Sequence, residues 1–296
     1  MAPPRADQVL LGDNLDVLPR FADESFRLVY ADPPFNTGRR QRRLRLATET
    51  RANGDRTGFG GRRYATRVLG ASSFADRYDD YLGFLEPRVR EIRRLLAPEG
   101  TLYLHLDYRE THYAKVLLDE IFGRDCFLNE IVWAYDYGAR PRRRWPAKHD
   151  TILVYVKDPE RYWFDADAVE REPYMAPGLV TAEKAARGKL PTDVWWHTIV
   201  SPTGKEKTGY PTQKPEAIVR RMVEASTRPG DWCLDPFAGS GTLGAVCARL
   251  GRRYVLVDSS VEAVEVARAR LAPFRAEAPR VPPQKGQKSD APVVRR

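Results

Sequence analysis

The sequence predicts an α/β fold: a doubly wound, mostly parallel sheet with helices on both faces and one inserted segment. Three observations carry this expectation. Short apolar runs bounded by turn residues alternate with stretches of helical period. Two of those runs end in an Asp-Pro turn, Asp32-Pro33 and Asp235-Pro236, at the strand ends where open α/β sheets bind ligands. The length, 296 residues, fits one large domain with an insertion.

The elements follow in order. Arg27–Tyr30 reads as a buried strand. Residues 78–96 form a helix, because Leu82, Leu85, Val89, Ile92 and Leu96 recur at helical spacing, and Pro98 and Gly100 mark its end. Thr101–Leu106 and Thr151–Val156 are strands, with a helix over 110–122 between them. A helix over 215–227 leads to a strand at Asp231–Leu234, and a helix over 241–250 leads to one at Tyr254–Val257. A last helix covers 260–271.

Three stretches break the alternation. Residues 36–75, rich in arginine and glycine, are expected to form a mobile loop. Residues 158–209 read as an inserted segment, and the proline- and charge-rich 275–296 as a disordered tail. The units expected are therefore 1–157, 158–209, 210–274 and the tail.

Composition narrows the class. Hydrophobic residues make up 42% of the chain, enough for a substantial core. Its apolar runs are too short to span a bilayer, and the first seven residues lack an apolar leader segment. Cys126, Cys233 and Cys247 are odd in number and far apart, which suits buried thiols in a reducing cytoplasm rather than a disulfide framework or a metal site. The net charge of +9 is concentrated. Residues 36–75 hold ten arginines, Arg39, Arg40, Arg42 and Arg43 among them, against two acids. Arg140, Arg142, Arg143, Arg144 and Lys148 form a second cluster with no acid among them. Such clusters beside aromatic residues suit phosphate backbones and stacked bases, and point to nucleic acid.

Three motifs carry chemistry. Asp32-Pro33-Pro34-Phe35 follows the first strand. Methylation of an exocyclic base amine needs acceptors around the NH2 group, because its lone pair is conjugated into the ring. Asp32 can supply a carboxylate and Pro33 a backbone carbonyl, held rigid because proline fixes φ. Phe35 can stack on an extruded base. A turn stiffened by two prolines is the alternative reading of the tetrapeptide. The second motif is Asp235-Pro236-Phe237-Ala238-Gly239-Ser240-Gly241-Thr242, a glycine turn between a strand and a helix. Asp258 lies 19 positions beyond Gly239 at the end of the next strand, close to the spacing of a ribose-binding carboxylate. The three-glycine pyrophosphate fingerprint is absent, which favours a nucleoside ligand without a pyrophosphate. The third motif, Thr212-Gln213-Lys214-Pro215, opens a helix where a carboxylate could be received, or where the lysine is merely solvated.

These motifs resemble those of the β class of DNA amino-methyltransferases, which act on adenine N6 or cytosine N4. Asp32-Pro33-Pro34-Phe35 is similar to the family's D-P-P-[YF] motif. Asp235 to Thr242 is similar to its D-P-F-x-G-S-G-T motif, Thr212-Gln213-Lys214-Pro215 to its T-x-K-P element, and Gly12-Asp13-Asn14-Leu15 to G-D-x-L. The resemblance covers roughly residues 8–157 and 190–272, with the catalytic motif first. It implies a Rossmann-like methyltransferase sheet, S-adenosylmethionine as cofactor and double-stranded DNA as partner. Residues 1–157 would then be the catalytic half, 210–274 the cofactor half and 158–209 the target-recognition insertion.

The resemblance also implies roles. Asp32, Pro33, Pro34 and Phe35 would be catalytic. Asp13, Asp32, Thr212, Lys214, Asp235, Phe237, Gly239, Ser240, Gly241, Thr242 and Asp258 would hold the cofactor, with Lys214 on its methionine carboxylate and Asp258 on its ribose. His149 and Asp150, just before a strand, resemble a later H-[DE] pair of the family and would help seat the flipped base, and the two basic clusters would contact DNA. Trp195 and Trp196 could be core or DNA contacts. Asp rather than Ser at the head of the catalytic motif favours adenine over cytosine, and the absence of a Pro-Cys pair argues against methylation at cytosine C5. A homodimer, a restriction-modification context and association with the nucleoid are further expectations of the resemblance. RNA or protein methylation and a catalytically silent DNA-binding module are the weaker alternatives.

Overall fold

The computed structural model describes residues 1–37, 39–50, 56–57, 63–76, 78–138, 141–201 and 204–277. In chain order the elements are β1 (Gln8–Leu11), α1 (Asn14–Val17), β2 (Phe26–Ala31), β3 (Arg39–Thr50), β4 (Arg56–Thr57), β5 (Arg63–Asp76), α2 (Tyr81–Leu95), β6 (Leu96–Leu106), α3 (Thr111–Phe122), β7 (Phe127–Ala134), β8 (His149–Val156), α4 (Ala182–Arg187), β9 (Val194–Trp196), α5 (Glu216–Ser226), β10 (Trp232–Asp235), α6 (Thr242–Arg249), β11 (Arg253–Asp258) and α7 (Val261–Glu277).

Eight strands form the main sheet in the order β1-β11-β10-β2-β6-β8-β7-β9. The run from β1 to β6 is parallel, β8 is antiparallel to both β6 and β7, and β9 is parallel to β7. β2 is central and buried on both faces, so it has no polar alternation. Val29 and Ala31 point to the side covered by α2 and α3, where Leu85, Val89, Ile92 and Leu118 pack. Leu28 and Tyr30 point to the opposite side, under Val219, Met222 and Val223 of α5 and Leu243 of α6. All three cysteines are buried thiols. Among the described residues no helix is long and apolar enough to cross a membrane.

The structure adds β1 and β7, which the sequence reading did not name, and departs from it in four further places. Within 36–75 the described residues include strands rather than irregular loop alone: β3 and β5 pair antiparallel from Arg39↔Asp76 to Thr50↔Tyr64, and β4 adds a third strand. The period-2 pattern Arg43-Leu44-Arg45-Leu46 and the β-formers Thr48, Thr50, Tyr64 and Thr66 are the strand signals that the arginine and glycine content obscured. α2 ends at Leu95, within one residue of the expected end, but β6 begins at once at Leu96 rather than at Thr101, so Pro98 and Gly100 stand within the strand. α7 continues past Pro273 to Glu277, into the segment expected to be tail, because Arg275, Ala276 and Glu277 favour helix. The rest of the tail, 278–296, lies outside the described residues. Finally, the 158–209 segment is tied to the sheet. β9 adds to its edge, and the Asp165 N–H donates to the Ala225 carbonyl at 2.7 Å. Trp195 is 7% exposed and belongs to the core, while Trp196 is 76% exposed.

Candidate active site

The chain leaves β2 at Ala31 and turns at once through Asp32-Pro33-Pro34-Phe35. The turn is stapled in place. The Tyr81 hydroxyl donates to the Pro34 carbonyl at 2.8 Å. Asn36, at φ 54°, donates its amide to Glu110 Oε1 at 2.7 Å and accepts the Tyr78 N–H at 2.9 Å. This left-handed residue joins the starts of α2 and α3 to the loop, a role for which asparagine is suited. Asp32 faces Lys214, whose Nζ lies 2.7 and 2.6 Å from its two carboxylate oxygens. The same ammonium stands 4.6 Å from the Phe35 ring centroid.

The opposite wall is built by the turn between β10 and α6. Asp235 is 2% exposed and accepts the Phe237 N–H at 2.9 Å. Gly239, at φ 48°, donates its N–H to Asp258 Oδ2, and the Ser260 N–H donates to Oδ1, both at 2.8 Å. Gly241 is left-handed at φ 72°, and a Cβ there would stand 2.9 Å from the Ala267 Cβ. It is the glycine that lets α6 lie against α7. The Thr242 hydroxyl donates to the Lys214 carbonyl at 3.2 Å, tying this turn to the third motif. Asp13 caps α1 through the Leu15 N–H and pairs with Arg88 at 3.2 Å.

These pieces enclose one cavity of about 460 Å³. Of the residues expected to hold a cofactor, Asp13, Asp32, Thr212, Lys214, Asp235, Phe237, Gly239, Ser240, Thr242 and Asp258 all line it, together with Pro33, Pro34 and Phe35. Gly241 does not line it; its place is the packing of α6 on α7. Burial pushes the Asp235 carboxyl well above the ordinary carboxylate range, and the charges of Asp32 and Asp258 push it further. Burial also raises Asp258. Burial above all, with the nearby Asp32 and Asp258 charges added, makes ionising Asp235 costly, and a cationic ligand in the cavity would offset that cost. Asp258 spends only one lone pair per oxygen on backbone N–H groups and keeps capacity for ribose hydroxyls. The residues present therefore fit a nucleoside sulfonium.

Behind the Pro-Pro turn lies a network that the sequence reading missed. His105, fully buried in β6, contacts the Tyr30 hydroxyl through Nδ1 at 2.9 Å and Asp150 Oδ2 through Nε2 at 3.2 Å. The Tyr135 hydroxyl donates to the other Asp150 oxygen at 2.9 Å. The His105 ring centroid is 5.8 Å from that of Phe35. Asp150, not His149, is thus the member of that pair joined to the site; His149 is half-buried at the start of β8. The signal available was a histidine in an otherwise apolar strand, Leu104-His105-Leu106, one strand from the motif.

On the expected DNA side, Arg142, Arg143 and Arg144 are exposed on the β7–β8 connection. Lys148 instead donates to the carbonyls of Tyr137 at 2.6 Å and Gly138 at 3.0 Å. Arg140 lies outside the described residues, as do the side chains of Arg39, Arg40, Arg42 and Arg43.

The sequence profile of the N6/N4 family of DNA methylases matches residues 26–269. The chain belongs to this family. The methylase is 31% identical over 266 residues to the type II methyltransferase M.HpaI of Haemophilus parainfluenzae, covering 90% of this chain and 74% of that one. It is 29% identical over 274 residues to the DNA adenine methyltransferase YhdJ of Escherichia coli K12, covering 90% and 83%. Its fold is similar to that of the M1.HpyAVI–SAM complex, with a TM-score of 0.57 at 22% identity over 89% of this chain and 98% of that one. It is likewise similar to the cytosine-N4-specific PvuII DNA methyltransferase, with a TM-score of 0.62 at 16% identity over 90% and 87%. The Rossmann-like methyltransferase sheet is thereby established for this methylase.

Proposed function

We propose that this methylase transfers a methyl group from S-adenosylmethionine to N6 of adenine in double-stranded DNA, on a base turned out of the helix. The observation that carries the reading is the position of Asp32. Its carboxylate opens the loop after the central strand and lines the same cavity as Asp258 and the Gly239 turn. S-adenosylmethionine supplies a methyl group made electrophilic by a sulfonium. Asp258 would hold the ribose, Lys214 and Thr212 would receive the methionine carboxylate, and Phe237 lines the cavity beside them. The Asp32 carboxylate accepts one amine N–H and the Pro33 carbonyl the other, which draws the nitrogen toward tetrahedral geometry and frees its lone pair. The Pro34 carbonyl already serves Tyr81, whereas among the described residues the Pro33 carbonyl takes no hydrogen bond. Phe35 would stack on the base; the nitrogen would form its bond to the methyl carbon as the carbon–sulfonium bond breaks in line, leaving S-adenosylhomocysteine, and the amine's surplus proton would pass by way of the Asp32 carboxylate to water, with no covalent enzyme intermediate.

Residues 158–209 read the target sequence in this proposal, the arginines of the two basic clusters bind phosphates, and two copies pair as the resemblance implies. The test is incubation with unmethylated genomic DNA and labelled cofactor, followed by digestion to nucleosides. N6-methyldeoxyadenosine is expected. N4-methyldeoxycytidine would overturn the choice of base, and Asp32→Ala that still transfers methyl groups would overturn the mechanism.

A further inference from the structure

The described part of the β7–β8 connection presents an aromatic side chain to solvent. Trp145 is 94% exposed. An exposed indole directly beside three exposed arginines is suited to nucleic acid, because an aromatic face stacks on bases while guanidinium groups pair with phosphates. Arg142, Arg143 and Arg144 precede it, and among the described residues no carboxylate pairs with them. The loop is nonetheless closed at its neck. The Tyr135 N–H donates to the Lys148 carbonyl at 2.9 Å, Lys148 Nζ clasps the Tyr137 and Gly138 carbonyls, and the Tyr135 hydroxyl is fixed to Asp150.

Register places the loop relative to the chemistry. Ala31, which precedes Asp32, pairs with Leu104, and Leu104 pairs with Leu153. The start of β8 therefore lies two strands from the catalytic strand, on the same edge of the sheet, at roughly 10 Å given ordinary strand spacing. Trp145 is four residues before His149, so a short extension spans that gap.

We infer that Trp145 enters the DNA base stack beside the target nucleotide and fills the space that the extruded base leaves, while Arg142, Arg143 and Arg144 anchor the loop to the phosphates. The inference rests on the base-extrusion reading above and adds to it a residue that holds the duplex open. Extrusion costs unstacking, and a flat apolar side chain offered to the gap offsets that cost. The arginine triplet selects a polyanion over a second protein surface.

The experiment measures binding of the full chain, with S-adenosylhomocysteine present, to two duplex oligonucleotides of one sequence, one intact and one with a single tetrahydrofuran abasic position. The gapped duplex has already lost the base, so stacking of Trp145 in the gap should make it bind roughly five- to a hundredfold tighter. Trp145→Ala should abolish that preference without changing the melting temperature, and Trp145→Phe should largely restore it. Arg142→Ala should weaken both duplexes alike. Equal binding of the two duplexes by the wild type, or a preference that survives in Trp145→Ala, would overturn the inference. So would a Trp145→Ala protein that keeps the preference but changes its sedimentation, which would assign the loop to contact with a second copy. Methyl transfer is not part of this measurement, so a failed nucleoside assay overturns the proposed reaction and leaves this result to be judged separately.

Discussion

Lys214 Nζ stands 2.7 and 2.6 Å from the two oxygens of Asp32, and both side chains are mostly buried. The residue expected to receive the cofactor's carboxylate is therefore joined to the residue expected to grip the target amine. A carboxylate has four lone-pair directions, so Asp32 can accept an amine N–H without releasing Lys214 entirely. The contact still makes the two sites rivals for one ammonium.

That rivalry has a measurable consequence. Asp32→Ala frees Lys214, so cofactor affinity by calorimetry should hold or rise while transfer is lost. Lys214→Met should weaken cofactor binding tenfold or more. It should also lower stability by about 1–3 kcal/mol, somewhat below the cost of stranding a fully buried charge. If Asp32→Ala weakened cofactor binding as much as Lys214→Met does, the two residues would be acting as one unit and the rivalry would be refuted.

The pH dependence of cofactor binding should report Asp235. Burial raises its carboxyl above the ordinary range, so the folded protein favours the neutral form. The associated stability is present below the unfolded pKa and is lost as pH rises through the folded one. A cationic ligand favours the ionised form, so binding releases a proton and tightens as pH rises across that window. Asp235→Asn still accepts the Phe237 N–H. It should flatten the pH dependence of both stability and affinity, and be the more stable protein on the alkaline side. Unfolding and calorimetry at a series of pH values check both; an unchanged slope in the variant would assign the dependence elsewhere.

The cofactor wall was legible in the sequence because its chemistry is local. Asp235, Phe237, Gly239 and Thr242 lie on one turn, and Asp258 follows at the spacing of a strand-helix-strand unit. What was hidden depends on pairing across strands. His105 and Asp150 meet only because β6 and β8 run antiparallel, with Leu106 opposite Thr151. Arg88 meets Asp13 across 75 positions. β7 was missed because Asn129 and Glu130 interrupt its apolar run; its inward positions, Ile131 and Trp133, are visible only once β8 is beside it. β3 and β5 were missed because composition, which suggested a loop, outweighed a period-2 pattern in the sequence.

Asp150 offers a test of the hidden network. Burial alone would raise its carboxyl, but hydrogen bonds from His105 and Tyr135 and the charge of Lys214 hold it below the ordinary range. Its stability is therefore present above the unfolded pKa and is lost as pH falls through the folded one. Asp150→Asn should cost about 1–3 kcal/mol near neutral pH, and the deficit should shrink in acid. Because His105 lies behind Phe35, the KM for DNA should rise while cofactor affinity stays put. A variant with normal DNA KM would show that the network supports the fold alone.

Lys148 and Arg142 sit in one basic cluster, yet the structure separates them. Arg142 is exposed, so Arg142→Ala should reduce the slope of log affinity against log salt by about 0.9, the share of one phosphate contact. Lys148 spends its ammonium on the Tyr137 and Gly138 carbonyls and closes the loop neck. Lys148→Met should therefore leave the salt slope nearly unchanged, because no phosphate contact is lost. It should instead loosen the loop, raising the DNA KM and making residues 137–147 easier to cleave by protease. Salt titrations of DNA binding on the two variants, paired with limited proteolysis, distinguish the roles. A Lys148→Met protein with a reduced salt slope and an unchanged cleavage pattern would return Lys148 to the phosphate-binding set.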